Sequence, residues 1–150
     1  MDDLEVNSYL SGYADGEGCF CITFNKSNRH RFGWDIRPSF SVSQNKDRSQ
    51  ILNLYKERWN CGTIRPDRSD KTVKYEVRSV GELVTKIIPH FENYPLLSEK
   101  QKEFRIFKEI CFLLLDKKHL TKNGFNQVRD LSEQMNFLGK KRYPRNKIKI

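Results

Sequence analysis

Two carboxylates and two glycines interleave at the end of the first apolar run of this chain, Leu10-Ser11-Gly12-Tyr13-Ala14-Asp15-Gly16-Glu17-Gly18. The rest is basic: 28 Lys and Arg against 19 Asp and Glu give a formal net charge of +9. A surface of that charge expects a polyanion, usually nucleic acid. Two carboxylates facing phosphates would repel it. A divalent cation held between carboxylate and phosphate resolves the conflict, and the combination points to metal-dependent cleavage of a phosphodiester backbone. Charge alone would fit a ribosomal or merely soluble basic protein equally well.

The elements that must position these groups follow from hydrophobic period. A first helix is expected from Asn7 or Ser8 to Asp15, with Gly16 leaving it through positive φ. Ser8, Gly12 and Gly16 recur every four residues and line one helix face. Small residues there let another helix approach, in the same chain or another. Phe20, Ile22 and Phe24 alternate with Cys21, Thr23 and Asn25 as a first strand. A second runs from Ile36 to Gln44, and Pro38 places it at an edge or bulge. A helix with Ile51, Leu52, Leu54, Tyr55 and Trp59 on its apolar stripe comes next, starting at Asp47 or Ser49. A hairpin follows, Thr63–Pro66 with Val73–Arg78. Helices are then expected over Val80–Phe91, ending or kinked near Pro89, over Glu99–Lys117 after a Ser98 cap, and over Phe125–Met135.

The order α-β-β-α-β-β-α-α-α defines an α+β fold. One antiparallel or mixed sheet would carry helices on one face and leave the other polar and basic. The non-core parity contains Cys21, Thr23, Asn25, Arg37, Ser39, Ser41, Ser43, Arg65, Lys74, Glu76 and Arg78. Arg reads guanine bidentately, and Asn and Glu have base-edge partners, so this face suits a duplex groove. Arg29, Arg31 and Arg68, in basic loops, suit phosphates or flanking bases. The length of 150 residues fits one domain over 1–150, with a flexible basic tail at 139–150. Cys19, Cys21, Cys61 and Cys111 form no C-x-x-C pair and the three histidines are scattered, which argues for reduced thiols rather than a zinc site. No apolar run approaches the roughly 20 residues that span a bilayer. The acidic start, Met1-Asp2-Asp3-Leu4-Glu5, resembles neither a signal nor a transit peptide, so an intracellular protein is expected.

Leu10 to Gly18 resembles the signature of LAGLIDADG homing endonucleases, in the form L-x-G-[aromatic]-x-D-G-[acid]-G. The element order is similar to that family's α-β-β-α-β-β-α core, and the resemblance runs through His119-Leu120-Thr121-Lys122-Asn123-Gly124 and the helix after it. The resemblance implies a sheet that forms a DNA-binding saddle, with extra C-terminal helices. It implies two motif helices packed across a twofold axis, through Ser8, Gly12, Tyr13, Asp15 and Gly16. It gives Glu17 the metal and the scissile phosphate, with Gly16 beside it, and makes Asp15 the more structural acid. Many relatives carry Asp where Glu17 stands. By the same resemblance Gln44 helps hold the water network and Lys100 stands near the cleaved phosphate. Lys102 is exchangeable with Lys100 by alignment slippage, and Arg48 is a weaker candidate. The implied activity is Mg²⁺-dependent double-strand cleavage, with Mn²⁺ or Ca²⁺ able to occupy the site. The implied partners are a long pseudo-palindromic DNA site, a second copy of the chain and the host intron RNA. The alternative is a non-cleaving RNA maturase or a DNA- or RNA-binding relative of the same fold. An intron origin would place the protein in an organelle or a bacterial cytoplasm.

Overall fold

A computed structural model describes residues 2–68, 71–135 and 144–150. The motif helix, α1 (Asp3–Glu17), begins before Asn7 because Asp2 and Glu5 form a capping box. The Asp2 carboxylate accepts the Glu5 N–H and the Glu5 carboxylate accepts the Asp2 N–H, each at 2.8 Å. Asn7 is therefore an interior residue, buried, and its Oδ1 accepts from Arg58 Nε at 3.0 Å. The exit also corrects the expectation. Gly16 has no positive φ, and the chain leaves α1 at Gly18 with φ −79°. Gly18 is required by proximity: a Cβ there would stand 2.7 Å from the Ala14 carbonyl oxygen.

Strand β1 (Gly18–Lys26) follows α1 without a loop. With β2 (Trp34–Asn45), β3 (Thr63–Pro66) and β4 (Thr72–Val77) it forms one wholly antiparallel sheet, ordered β1-β2-β4-β3. Pro38 pairs with Ile22 in unbroken register, while β4 reaches only as far as Phe40. At the proline β2 has a neighbour on one side only, so the missing N–H costs no second ladder. The inner face buries Phe20, Ile22, Phe24, Phe40, Val42, Tyr75 and Val77. Phe20 lies at its centre, with ring centroids of Phe40 and Phe107 both 5.1 Å away and Phe91 at 5.5 Å.

Helices cover that face. A 3₁₀ turn (Lys46–Arg48) leads into α2 (Gln50–Trp59), which buries Leu52, Tyr55 and Trp59. Next come α3 (Val80–Glu82), a π segment (Leu83–Ile87) and α4 (Ile88–Asn93). Pro89 does not stop this helical stretch. Its ring conflicts with the carbonyl four residues back, and the widened turn just before it accommodates the conflict. The long helix α5 (Lys100–Leu115) buries Phe104, Phe107, Ile110, Cys111 and Leu114, whereas Leu115 is exposed. Thr121 caps α6 (Lys122–Glu133) by accepting the Gly124 N–H at 3.0 Å, so this helix starts before the expected Phe125.

Residues 139–143 of the expected tail lie outside the described residues. Residues 144–150 are docked, not free. Arg145 is buried, donating from Nη2 to the Ile22 carbonyl at 2.6 Å and from Nε to Ser132 Oγ at 2.9 Å, with its guanidinium 4.4 Å from the Phe24 ring centroid. Ile148 is buried beside it in the core cluster. A charged side chain tolerates this because its donors are matched and its flat face lies on an aromatic ring.

Candidate nuclease site

Glu17 is the last residue of α1, and its exposed carboxylate makes no hydrogen bond or ion pair among the described residues. The last turn of α1 contains no basic residue to meet the negative end of its dipole. Lys100, in the first turn of α5, supplies that cation. Its Nζ donates to the Gly18 carbonyl at 2.6 Å and to the Ala14 carbonyl at 3.1 Å. Lys102 turns away to Glu99 at 3.1 Å, exposed, so the structure separates two lysines that the sequence left exchangeable. Asp15 serves the facing helix end. Its Oδ2 accepts the Leu97 and Ser98 N–H groups at 2.8 and 3.1 Å, and its Oδ1 accepts the Ser98 hydroxyl. Burial alone would raise the Asp15 carboxyl. The bonds from Ser98 and Leu97, with the Lys100 charge, outweigh burial and hold it below its ordinary value.

Gln44 stands at the end of β2 against α1. Its Nε2 donates to the Tyr13 hydroxyl, and its Oε1 accepts the Asn45 N–H at 2.8 Å. Both ends of the amide are thus held, with one N–H and one lone pair left over. The opposite flank of α1 is tied by Ser11, whose hydroxyl donates to the Tyr94 carbonyl at 2.6 Å and lies 3.0 Å from His90 Nε2. A hydroxyl has one proton, so His90 donates from Nε2. Burial, then the nearby Arg58 charge, lowers the His90 pKa to about 4. Sequence reading gave Ser98 only as a helix cap, whereas the N-cap of α5 is Glu99 and Ser98 bonds Asp15; it missed Ser11 and His90.

The outer face of the sheet is the groove that strand parity predicts. Its register sets Cys19, Ser41, Glu76 and Thr63 in one row, Ser43, Lys74 and Arg65 in another, and Thr23 opposite Arg37. The groove of about 450 Å³ is lined by Thr23, Asn25, Arg37, Ser39, Lys74, Arg68 and Arg78 among others. Two expected base readers sit deep in the groove. Glu76 is 8% exposed and accepts from Arg65 Nη2 at 3.0 Å and Arg78 Nε at 2.8 Å on one oxygen, so it anchors two arginines. Ser41, in the same row, is buried. Two carboxylates on this side escaped the sequence reading. Asp35 accepts from Arg37 Nε at 2.6 Å, and Asp67 accepts from the Ser43 hydroxyl at 3.0 Å with Lys74 Nζ 3.8 Å away. The face therefore carries three arginines and one lysine held by three acids. Arg29 and Arg31 are exposed in the β1–β2 loop, where Arg31 Nη1 reaches the Leu120 carbonyl at 3.2 Å. Arg48 is exposed in the turn after β2, and Arg68 is exposed at the groove.

The other side of α1 is bare. Ser8, Gly12 and Gly16 are exposed, and a Cβ on either glycine would meet nothing within 4 Å. Packing inside the chain does not explain these small residues. Leu97, 93% exposed, and Leu4, 63% exposed, flank them. Tyr13 and Asp15, expected in the same contact, turn to the flanks: Tyr13 towards Gln44 and the Tyr55 ring, Asp15 towards α5.

No group of three or more His, Cys, Asp or Glu among the described residues could hold a metal alone. The free Glu17 carboxylate at a helix C-terminus is an open, oxygen-only donor set. It fits a hard divalent cation that completes its shell with water and phosphate oxygens. No helix among the described residues is long and apolar enough to cross a membrane.

Fold and site define the class: an α+β protein with one helix-covered sheet face, one basic groove, and a carboxylate-tipped helix at the groove's end. Comparison with known proteins then gives the family. The model of the LAGLIDADG endonuclease family matches residues 10–111, and the chain belongs to that family. It is similar to the "Probable intron-encoded endonuclease 2" of Neurospora crassa, 34% identical over 131 residues, covering 87% of this chain and 29% of that protein. Among solved structures it resembles the homing endonuclease I-TnaI, with TM-score 0.83, 27% identity, and 89% of both chains covered. It also resembles the meganuclease I-SmaMI bound to uncleaveable DNA, with TM-score 0.84, 26% identity, and 87% of this chain and 45% of that one covered. A further I-SmaMI structure holds an uncleaved DNA target in the presence of calcium ions. The chain spans 29% and 25% of the lengths of two curated relatives it matches.

Proposed function

We propose that the chain is one half of a site-specific, divalent-metal-dependent DNA endonuclease, and that two copies act on a long pseudo-palindromic site. The supporting observation is that one helix end carries both the free Glu17 carboxylate and, on the Gly18 and Ala14 carbonyls, the Lys100 ammonium, and that Cys19, two residues on, lines the basic groove. The homing endonucleases named above add to it.

Each residue has a distinct part. The groove binds the duplex, with Arg37, Arg65, Lys74 and Arg78 against phosphates and base edges. Glu17 would hold Mg²⁺, with Mn²⁺ or Ca²⁺ as substitutes. A bound cation neutralises the phosphate and stabilises the attacking and leaving oxygens. Lys100 spends two of its three N–H donors on carbonyls and keeps one for a phosphate oxygen, where negative charge grows as the 3′ oxygen leaves. Gln44, held at both ends of its amide, orients water with its remaining N–H and lone pair. The bare face of α1 packs on the same face of a second copy, which sets two Glu17 carboxylates beside opposite strands.

The test incubates the chain with a duplex library in Mg²⁺ or EDTA and sequences the ends. Double-strand breaks at one long site, in Mg²⁺ only, are expected. Glu17→Gln should bind that site and leave it whole. Continued Mg²⁺-dependent cutting by Glu17→Gln refutes the assignment. Intron RNA binding with no cutting by the unaltered chain would indicate a maturase instead.

A further inference from the structure

Two helix ends meet head-on at the candidate site, and each receives its counter-charge from the other helix. The C-terminus of α1 is negative and has no cation of its own; Lys100 of α5 covers it. The N-terminus of α5 is positive, and Asp15 of α1 covers it by accepting from Leu97 N–H, Ser98 N–H and the Ser98 hydroxyl. Ser98 passes the contact on: its Oγ accepts the Lys100 N–H at 3.1 Å. A lysine in the first turn of a helix is normally disfavoured by the dipole. Here it is fixed because Asp15 anchors the backbone from which it projects.

We propose that Asp15 is a positioning residue for Lys100: the bonds from its carboxylate to Leu97 and Ser98 set the start of α5 so that the ammonium reaches the α1 terminus beside Glu17. This rests on the nuclease reading above and adds a division of labour within the motif. Of its two acids, Glu17 faces the substrate, while Asp15 acts only through the lysine. Asn in place of Asp15 keeps the shape but loses the charge and one of the two accepting oxygens, so the Ser98 hydroxyl must turn from donor to acceptor, which loosens the turn.

The test is a double-mutant cycle on single-turnover cleavage, with Asp15→Asn, Lys100→Met and the pair. Asp15→Asn alone should slow cutting on the order of 100-fold, as a misplacement of about 1 Å does. DNA affinity in EDTA should stay within about twofold. In the Lys100→Met background Asp15→Asn should change nothing further. An equal loss in both backgrounds overturns the proposal, because Asp15 would then act independently of the lysine. Ser98→Ala, which removes only the hydroxyl, should give a smaller loss in the same direction.

A second measurement does not depend on cleavage. In ¹⁵N-lysine-labelled protein the hydrogen-bonded Lys100 ammonium should give a protected ¹H–¹⁵N signal that is lost in Asp15→Asn. A signal that persists unchanged overturns the proposal. If the unaltered chain cuts no duplex, the nuclease reading fails, and this signal still decides what Asp15 does.

Discussion

Gly12→Leu should move two properties in opposite directions. Gly12 lies in the interior of α1, exposed, and a Cβ there meets nothing within 4 Å. Within one chain the substitution removes the glycine entropy penalty and creates no clash, so it should stabilise the fold by about 0.5–1 kcal/mol. For a chain of this size that raises the melting temperature by about 1–4 °C. In the proposed dimer the same leucine stands where two α1 helices meet. Ordinary side chains hold helix axes about 8–10 Å apart, and the small stripe of Ser8, Gly12 and Gly16 allows closer approach. The dimer should therefore be lost. Sedimentation velocity across a concentration series reads association, and a thermal melt at the lowest concentration reads the fold, free of stabilisation by mass action. A dimer that survives Gly12→Leu refutes the reasoning. So does a melting temperature that falls by several degrees, since that would place Gly12 in an interior contact.

Two further outcomes follow from buried charge chemistry. The folded-state pKa of His90 lies near 4, below its ordinary 6.5, so the unfolded chain binds the extra proton first as pH falls. Stability from this site is complete above pH 6.5 and is lost towards pH 4, on the order of 3 kcal/mol. Urea titrations should show that His90→Gln flattens the slope of stability between pH 6.5 and 5, and an unchanged slope refutes the assignment. Glu76→Gln should release Arg65 and Arg78 from their shared oxygen. Non-specific DNA binding should then strengthen, and the preference for the cleaved site over random duplex should fall about tenfold, as misplaced bidentate arginines would require. Binding titrations that find the preference intact refute the anchoring role of Glu76.

Period and local chemistry made most of the architecture readable. The alternation Phe20, Ile22, Phe24 and the parity of Phe40, Val42, Tyr75 and Val77 predict which sheet face is buried, because strand side chains alternate regardless of context. The run from Leu10 to Gly18, with its acids and glycines, marks the family and the acidic end of α1. Helix boundaries were less legible: the Asp2–Glu5 capping box and the Thr121 cap each start a helix earlier than its apolar stripe does. What no local pattern could supply is how charges are shared. Asp15 and Ser98 are 83 residues apart, Lys100 and Gly18 82, and Arg145 and Ile22 123. Side-chain type states that a carboxylate or guanidinium needs a partner, but only the packed fold brings a particular one within 3 Å. The sequence alone therefore determined the fold class, the buried face and the helix end that carries the two acids. Tertiary structure decided which acids are spent as anchors, which lysine reaches the site, and that the small face of α1 stays uncovered, because hydrogen bonds and ion pairs are short-ranged and join residues far apart in the chain.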